Sequence, residues 1–219
     1  RGPQGTLFGK NTVSGVLNFT TKAPDTDVHG YLNVAGGSLN EKRIEGGISI
    51  PVISDKVGAR LAFRKRERET GNYNTTLDKD LSQEDASFRL RLSWEASDSV
   101  VFGADYFQTD SEVNGYGLQY QQATERAADV YRESDPRFED DVYDGNSSIS
   151  TDEFNERHSK SLTLSATTYL ESVGPIPTLD ISLIGNVSEI RSPFLLDSDF
   201  SPVDFSELGT DGPEGFDQK

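Results

Sequence analysis

Charged side chains alternate with apolar ones in several segments of the chain, and they are the first candidates for chemistry. The set consists of Arg60, Arg64, Arg89, Arg91, Glu45 and Asp105. A guanidinium group offers several donors in one plane, and it pairs well with carboxylates and main-chain carbonyls. If these side chains share one face of a sheet, they can hold another segment against that face. They can equally form ion pairs that only keep the face hydrated.

Tyrosine rings in polar, turn-rich stretches are a second candidate. They belong to Tyr73, Tyr116, Tyr120 and Tyr131. Their faces can stack on a small-molecule ligand. The alternative is that the rings pack the loops that contain them.

Carboxylates cluster at residues 139–141 and at Asp197, Asp199 and Asp204. Hard oxygen ligands of this kind can hold Ca²⁺. The Asp-x-Asp-x-Asp-Gly pattern of a calcium loop is missing, so a solvated loop is the alternative. We predict no metal site.

Catalysis finds little support in the sequence. His29 and His158 are the two histidines, and the chain has no cysteine. No nucleophile-elbow, metalloprotease or phosphate-loop motif occurs. We predict no enzyme activity and no cofactor.

Seven segments must position these side chains, and in each of them apolar and polar residues alternate. The segments are 29–37, 43–52, 57–69, 85–96, 100–111, 159–170 and 178–190. A period of two is typical of a β-strand whose faces have different surroundings. Lengths of roughly 9–13 residues match those of tilted strands that cross a bilayer. We predict an all-β fold, an antiparallel transmembrane β-barrel of which the chain holds about seven strands. A soluble β-sandwich is the alternative.

The apolar face of these strands should point outward, into lipid. The residues expected there include Leu61, Phe63, Leu90, Leu92 and Trp94. Trp94 precedes a tight turn and is expected in an aromatic girdle at the periplasmic interface.

Connections between the predicted strands alternate in length. Short ones are expected at 51–56, 97–99 and 171–177, and the long ones at 70–84, 112–158 and 192–219. Short periplasmic turns and long external loops are typical of bacterial outer-membrane barrels. The turn at 36–42 is also external and is short. Residues 119–132 are expected to form a helical turn or two.

Acidity is confined to two regions of the chain. The formal net charge is −16, and it comes almost entirely from residues 108–158 and 192–219. No basic face is available for nucleic acid, which is therefore not a predicted partner. No run of 18 apolar residues occurs, so no transmembrane helix is predicted. A hydrophobic content of 33% fits a chain whose apolar residues are distributed in alternation.

The first 24 residues form a glycine-rich unit that ends in a short strand, predicted at 15–22 after a helical turn at 3–9. The unit reads R-G-P-Q-G-T-L-F-G-x-N-x-x-x-G-x-x-N-x-x-T-K-x-P, with Arg1, Gly2, Pro3, Gly5, Gly9 and Gly15 as its defining residues. It resembles the end of the plug domain of TonB-dependent outer-membrane receptors. Residues 13–16, Val-Ser-Gly-Val, depart from the family pattern, which more often has a second glycine there.

This resemblance implies a division into the end of a plug domain, residues 1–26, and the first part of a barrel, residues 27–219. It places the protein in the outer membrane of a Gram-negative bacterium, in contact with lipid. It implies uptake of a scarce ligand, such as a ferric siderophore, energised by the TonB–ExbB–ExbD complex through an N-terminal part outside this sequence. In the family, an arginine at the position of Arg1 pairs with acids of the barrel wall.

Two other functions remain open at this stage. One is an outer-membrane adhesin or Ca²⁺-dependent surface barrel without transport, which would also explain the acidic loops. The other is a small complete barrel enzyme, which fits poorly because bacterial barrels have an even number of strands.

Overall fold

The computed structural model describes residues 21–25, 27–120, 122–140, 144–173 and 176–210. The strands are β1 (His29–Gly36), β2 (Lys42–Ile53), β3 (Val57–Asn74), β4 (Lys79–Ser97), β5 (Val100–Asn114), β6 (Asn146–Ser147), β7 (Phe154–Val173), β8 (Ile176–Arg191), β9 (Phe194–Asp197) and β10 (Glu207–Thr210). The helix α1 spans Glu125–Ser134, with Thr124 as its N-cap. Among the described residues, no helix is long and apolar enough to cross a membrane.

All strands belong to one sheet. Strands β1 to β5 and then β7 follow one another as antiparallel neighbours, and β8 pairs with β7. The short β9 pairs with the start of β7 and with β10, while β6 runs parallel to the end of β3. The sheet does not close within the described residues, where β1 pairs with β2 alone. The predicted all-β antiparallel fold is confirmed, and the described strands form a single sheet, with no second layer of a sandwich among them.

The alternation in sequence gives the sheet two different faces. In one row of register partners, Arg60, Arg91 and Asp105 lie side by side, and this side is called the charged face. In the next row, Leu61 pairs with Leu90 on the opposite side, called the apolar face. The five residues predicted to face outward share the apolar face, away from residues 21–22. Many exposed apolar side chains on one face indicate that lipid or protein covers the apolar face.

Trp94 lies close to the end of β4 and stacks on Phe102, with 5.3 Å between the ring centroids. The Trp94 side chain is 50% exposed on the apolar face. Its assignment to a periplasmic girdle stays a prediction.

Several connections are shorter than predicted. The loop expected at 70–84 is wrong, because β3 continues to Asn74 and β4 begins at Lys79. Apart from Tyr73 and Leu81, the residues of these strand ends are polar, so they lack the alternation that indicates a half-buried strand. The two ends are held as strands by pairing with each other. Strand β5 likewise ends at Asn114 and β7 begins at Phe154, which reduces the loop expected at 112–158 to residues 115–153.

Three short strands, β6, β9 and β10, were not predicted. They have two to four residues each, too few to show a period. Strands β9 and β10 lie within the loop expected at 192–219. The helix predicted within 119–132 is present as α1, a few residues further along the chain.

Most of the buried hydrophobic residues lie at the end of the sheet that carries the long connections. Leu81 of β4, Phe138 and Ile149 are fully buried, and Ala128 of α1 is also buried. Residues 115–140, 144–153 and 194–207 are called the loop cap. It is a packed substructure with its own core.

Candidate functional site

Arg91 fastens the segment that precedes β1 to the charged face. Its Nη1 lies 2.8 Å from the carbonyl oxygen of Thr21, 3.0 Å from Oγ1 of Thr21 and 3.1 Å from the carbonyl oxygen of Lys22. Pro24 packs against Gly58, where a Cβ atom would lie 3.0 Å from Cβ of Pro24. The chain therefore enters the first strand from the charged side of the sheet.

Asp105 holds Arg91 in place. Its Oδ2 lies 3.1 Å from Nε of Arg91, and its Oδ1 accepts a hydrogen bond of 2.9 Å from Nε of Arg89. The guanidinium group of Arg89 also lies 5.1 Å from the centre of the Phe107 ring. One carboxylate thus orients two guanidinium groups and leaves a net positive charge.

Arg60 is the most deeply buried arginine of this face, with 9% of the residue exposed. It donates a hydrogen bond of 2.9 Å to Oγ of the buried Ser49. The Tyr31 ring covers Gly47 beside it, where a Cβ atom would lie 2.9 Å from Cε1 of Tyr31. Any larger residue at position 47 would displace this ring.

A cavity of about 360 Å³ opens on this face. Its lining includes Thr21, Lys22, Tyr31, Glu45, Arg60, Arg64, Arg89, Arg91 and Phe107. Arg64 and Glu45 are 4.0 Å apart and largely hydrated, so their attraction is weak. Cations outnumber carboxylates along the wall, which suits it to main-chain carbonyls or anionic groups.

All six charged residues singled out in the sequence therefore lie on one face. That this face lines the lumen of a barrel stays a prediction. The motif residues Arg1, Gly2, Pro3, Gly5, Gly9 and Gly15, the turn predicted at 3–9 and most of the strand predicted at 15–22 lie outside the described residues.

Two of the four predicted ligand-binding tyrosines meet in the loop cap. The ring centroids of Tyr120 and Tyr131 are 5.4 Å apart, and both lie within 5.6 Å of Phe138. The hydroxyl of Tyr120 donates to the carbonyl oxygen of Asp199 at 2.8 Å. Burial, and then the hydroxyl of Tyr131, raise the pKa of Tyr120. These neutral rings pack the loop cap around Phe138.

The other two tyrosines lie elsewhere. The Tyr73 hydroxyl donates to Asp78 at the turn between β3 and β4, and Arg137 also pairs with Asp78. The backbone N–H of Tyr116 donates to a carboxylate oxygen of Glu153 at 3.1 Å. The four tyrosines do not converge on one site, and their role in ligand binding stays a prediction.

Asp135 joins the loop cap to the β3–β4 turn, and no motif around it indicates this role. It is 3% exposed and accepts hydrogen bonds from Oγ1 of Thr75 at 2.6 Å and from Oγ1 of Thr76 at 3.0 Å. Burial alone would raise the pKa of Asp135, but the bonds from Thr75, the Arg137 backbone and Thr76 outweigh it and lower the pKa. The ionised carboxylate therefore stabilises the junction.

Glu153 joins two parts of the loop cap, and no sequence motif indicates this role either. Its carboxylate accepts from the N–H of Tyr116 and, at 3.0 Å, from the N–H of Asp197. Burial raises the pKa of Glu153, and burial together with Asp197 raises that of Asp199. In the part of the chain that the structure describes, no group of three or more carboxylates or imidazoles is arranged to hold a metal ion. The calcium hypothesis gains no support from these residues.

The open antiparallel sheet, with one apolar and one charged face and a segment fastened to the charged face, defines the class of protein. The fold of the chain matches a section of the β-barrel of a TonB-dependent receptor.

Particular relatives agree with this class. Over 52 residues, or 24% of the chain, the sequence is 38% identical to the pesticin receptors of Yersinia enterocolitica and Yersinia pestis. The fold matches the crystal structure of the ferric-catecholate import receptor Fiu from E. coli K12, closed form, with a TM-score of 0.64 over 89% of the chain at 15% identity. No protein-family model matches the chain.

The chain spans a small part of these proteins. The aligned region covers 8% of each pesticin receptor and 26% of Fiu. The likeness to Fiu concerns the fold alone, and the likeness to the pesticin receptors concerns sequence. Together they confirm the resemblance to TonB-dependent receptors that residues 1–24 indicated.

Proposed function

We propose that the protein containing this chain is an outer-membrane receptor of a Gram-negative bacterium that imports a scarce ligand, a ferric siderophore. The proposal depends on one observation, the hydrogen bonds from Arg91 to the carbonyl oxygens of Thr21 and Lys22. These contacts tie the last residues of the plug-like motif to the charged face of a sheet whose other face is apolar. The names of the relatives, a ferric-catecholate import receptor and pesticin receptors, support the same function.

Transport in this proposal depends on the TonB–ExbB–ExbD complex, which pulls on a part of the protein outside this sequence. Residues 21–25 are the fixed end against which the pull acts, because Arg91 and Asp105 hold them to the wall. Hydrogen bonds to charged groups stabilise a contact by about 1.5–3 kcal/mol each. In this proposal the contacts of Arg91 keep Thr21 and Lys22 on the sheet while the plug moves.

Ligand choice is assigned to the loop cap. Long connections on a rigid scaffold usually carry recognition, and the strands have little freedom because the bilayer and their own ladder constrain them. The acidic character of the cap repels free anionic chelates within about 8–10 Å. An anionic siderophore therefore needs compensating cations from other parts of the receptor, whereas a neutral or cationic ligand does not.

Replacement of residues 117–151 by a short Gly/Ser linker in the intact receptor tests this assignment. Strands β5 and β7 stay whole in this variant, so the barrel should still assemble. We expect loss of binding and uptake of the radiolabelled ferric siderophore, with the amount of receptor in the outer membrane unchanged. Unchanged uptake would show that the cap is only a solvated cover. Uptake that persists when the proton-motive force is collapsed would contradict energised transport.

A further inference from the structure

The loop cap lies on the charged side of the sheet. Leu81 and Arg91 are an even number of positions apart on β4, so their side chains share the charged face. Leu81 is 2% exposed, and a Cβ atom at Gly115 would lie 2.6 Å from its Cδ2. Asn74 at the end of β3 is buried as well, and its Nδ2 donates to the carbonyl oxygen of Ile149 at 3.0 Å. The cap therefore covers the end of the charged face that adjoins the β3–β4 turn.

The connection between β5 and β7 is bonded to the end of β3 by its main chain, where β6 pairs with β3 in parallel. The N–H of Tyr73 donates to the carbonyl oxygen of Gly145 at 2.9 Å. The N–H of Thr75 donates to the carbonyl oxygen of Ser147 at 2.8 Å. The Thr75 hydroxyl also donates to the buried carboxylate of Asp135, as described above. Separation of the connection from β3 would break these bonds and leave Asp135 short of donors, which is costly for a buried charge.

The segment at 194–207 is bound to the same connection. The N–H of Ser150 donates to the carbonyl oxygen of Ser201 at 3.0 Å. The carboxylate of Glu153 accepts from the N–H of Asp197, also at 3.0 Å. The β3–β4 turn, the connection between β5 and β7 and the segment after β8 are therefore joined in one packed body.

Elements that move during ligand binding have few buried apolar contacts as a rule. The loop cap has the opposite construction, because Phe138 and Ile149 are fully buried in it. We propose that the loop cap is a fixed part of the receptor and not a lid: it stays bound to the β3–β4 turn and to residues 194–207 during ligand capture and uptake. A ligand then reaches the charged face past the edge of the cap and does not displace it. The statement about uptake rests on the proposed function, whereas the fixed attachment does not.

An engineered disulfide between the turn and the connection tests the proposal. The hydroxyl oxygens of Thr75 and Ser148 are 2.7 Å apart, and the sequence of the chain has no cysteine. In the intact receptor, Thr75→Cys/Ser148→Cys should form a disulfide, because the two sulfur atoms replace neighbouring oxygen atoms. With the disulfide formed, uptake of a radiolabelled ferric catecholate should equal the uptake after reduction, whereas a lid locked in this way would stop uptake.

Thr167→Cys/Ser182→Cys is the matched control, because these hydroxyl oxygens are 3.1 Å apart on β7 and β8, away from the cap. It measures the effect of an oxidised cysteine pair within the sheet. A loss of uptake in the oxidised Thr75→Cys/Ser148→Cys variant that dithiothreitol reverses, and that the control does not show, would overturn the proposal. Failure of this disulfide to form in a folded barrel would overturn it as well, because the two positions would then not stay adjacent.

Amide hydrogen exchange tests the same point in the native receptor, without any substitution. The amides of Tyr73 and Thr75 donate to the connection, so they should exchange slowly, and addition of the ferric catecholate should leave their rates unchanged. Exchange at these two amides as fast as in an unstructured peptide, or exchange that rises when the ligand is added, would overturn the proposal.

The fixed cap and the proposed function fail separately in these experiments. If the native receptor takes up no ferric catecholate, the proposed function is refuted. Disulfide formation and amide exchange without ligand still decide in that case whether the cap is fixed. If the native receptor takes up the chelate and the oxidised variant does not, the fixed cap is refuted and the proposed function stands.

Discussion

Replacement of Arg91 by alanine should release the segment before β1 from the charged face. The guanidinium group contacts two carbonyls and one hydroxyl of Thr21 and Lys22 through a single nitrogen, so the three contacts are not independent. The Arg91 side chain is 28% exposed, and water partly replaces it. From about 1.5–3 kcal/mol for a hydrogen bond to a charged group, we expect a total loss of about 2–3 kcal/mol, or roughly 30- to 150-fold in the opening equilibrium of this segment.

Hydrogen exchange of the backbone amides at residues 21–23 and 25 measures this opening in the intact receptor. Arg64→Ala is the matched control, because Arg64 lines the same cavity and contacts neither Thr21 nor Lys22. Its effect should stay below about 0.5 kcal/mol, as for a hydrated ion pair. Arg91→Lys should be intermediate, since it keeps the charge beside Asp105 but loses the planar donor group. Exchange that is equal in Arg91→Ala and the native receptor would refute the anchoring role.

Two further predictions concern the loop cap. Phe138→Ala should cost about 3–5 kcal/mol of local stability, because a buried ring is removed. The rate of amide hydrogen exchange should rise at residues 119–140 while the long strands keep their protection. A loss of protection confined to the strands would contradict this prediction. The pKa of Glu153 is raised in the folded protein, so between its ordinary value and the folded value the native state binds more protons than the unfolded state. The free energy of unfolding of the cap should therefore rise as the pH falls through that window and fall as the pH rises. The rise should be smaller in Glu153→Gln, as followed by exchange at residues 115–116 and 197, and an identical pH profile in the variant would exclude Glu153 as its source.

The long strands and their faces could be predicted because they depend on neighbours along the chain. Arg60 and Leu61 are adjacent in sequence, and a period of two places them on opposite faces whatever the rest of the protein does. A sheet whose two faces have different surroundings, such as lipid on one side in the proposed placement, requires that alternation, which is visible from residue 57 to residue 63. Beyond the apolar part of the sheet, loops cover part of it and most residues of β3 and β4 are polar, so the alternation is lost and the sequence pattern predicts a loop where the strands continue.

The sequence by itself determined the class of fold, the charged and apolar faces and the resemblance carried by residues 1–24. It also determined which charged residues share one face, because side chains two residues apart on a strand point to the same side. The tertiary structure alone decided that Arg91 meets Thr21, 70 residues earlier, and that Asp105 orients two arginines at once. It likewise gathered Tyr120, Tyr131 and Phe138 around one core, and it gave Glu153 its two backbone partners. Such contacts depend on strand register and on the closure of long loops, and neither leaves a periodic trace in the residues between.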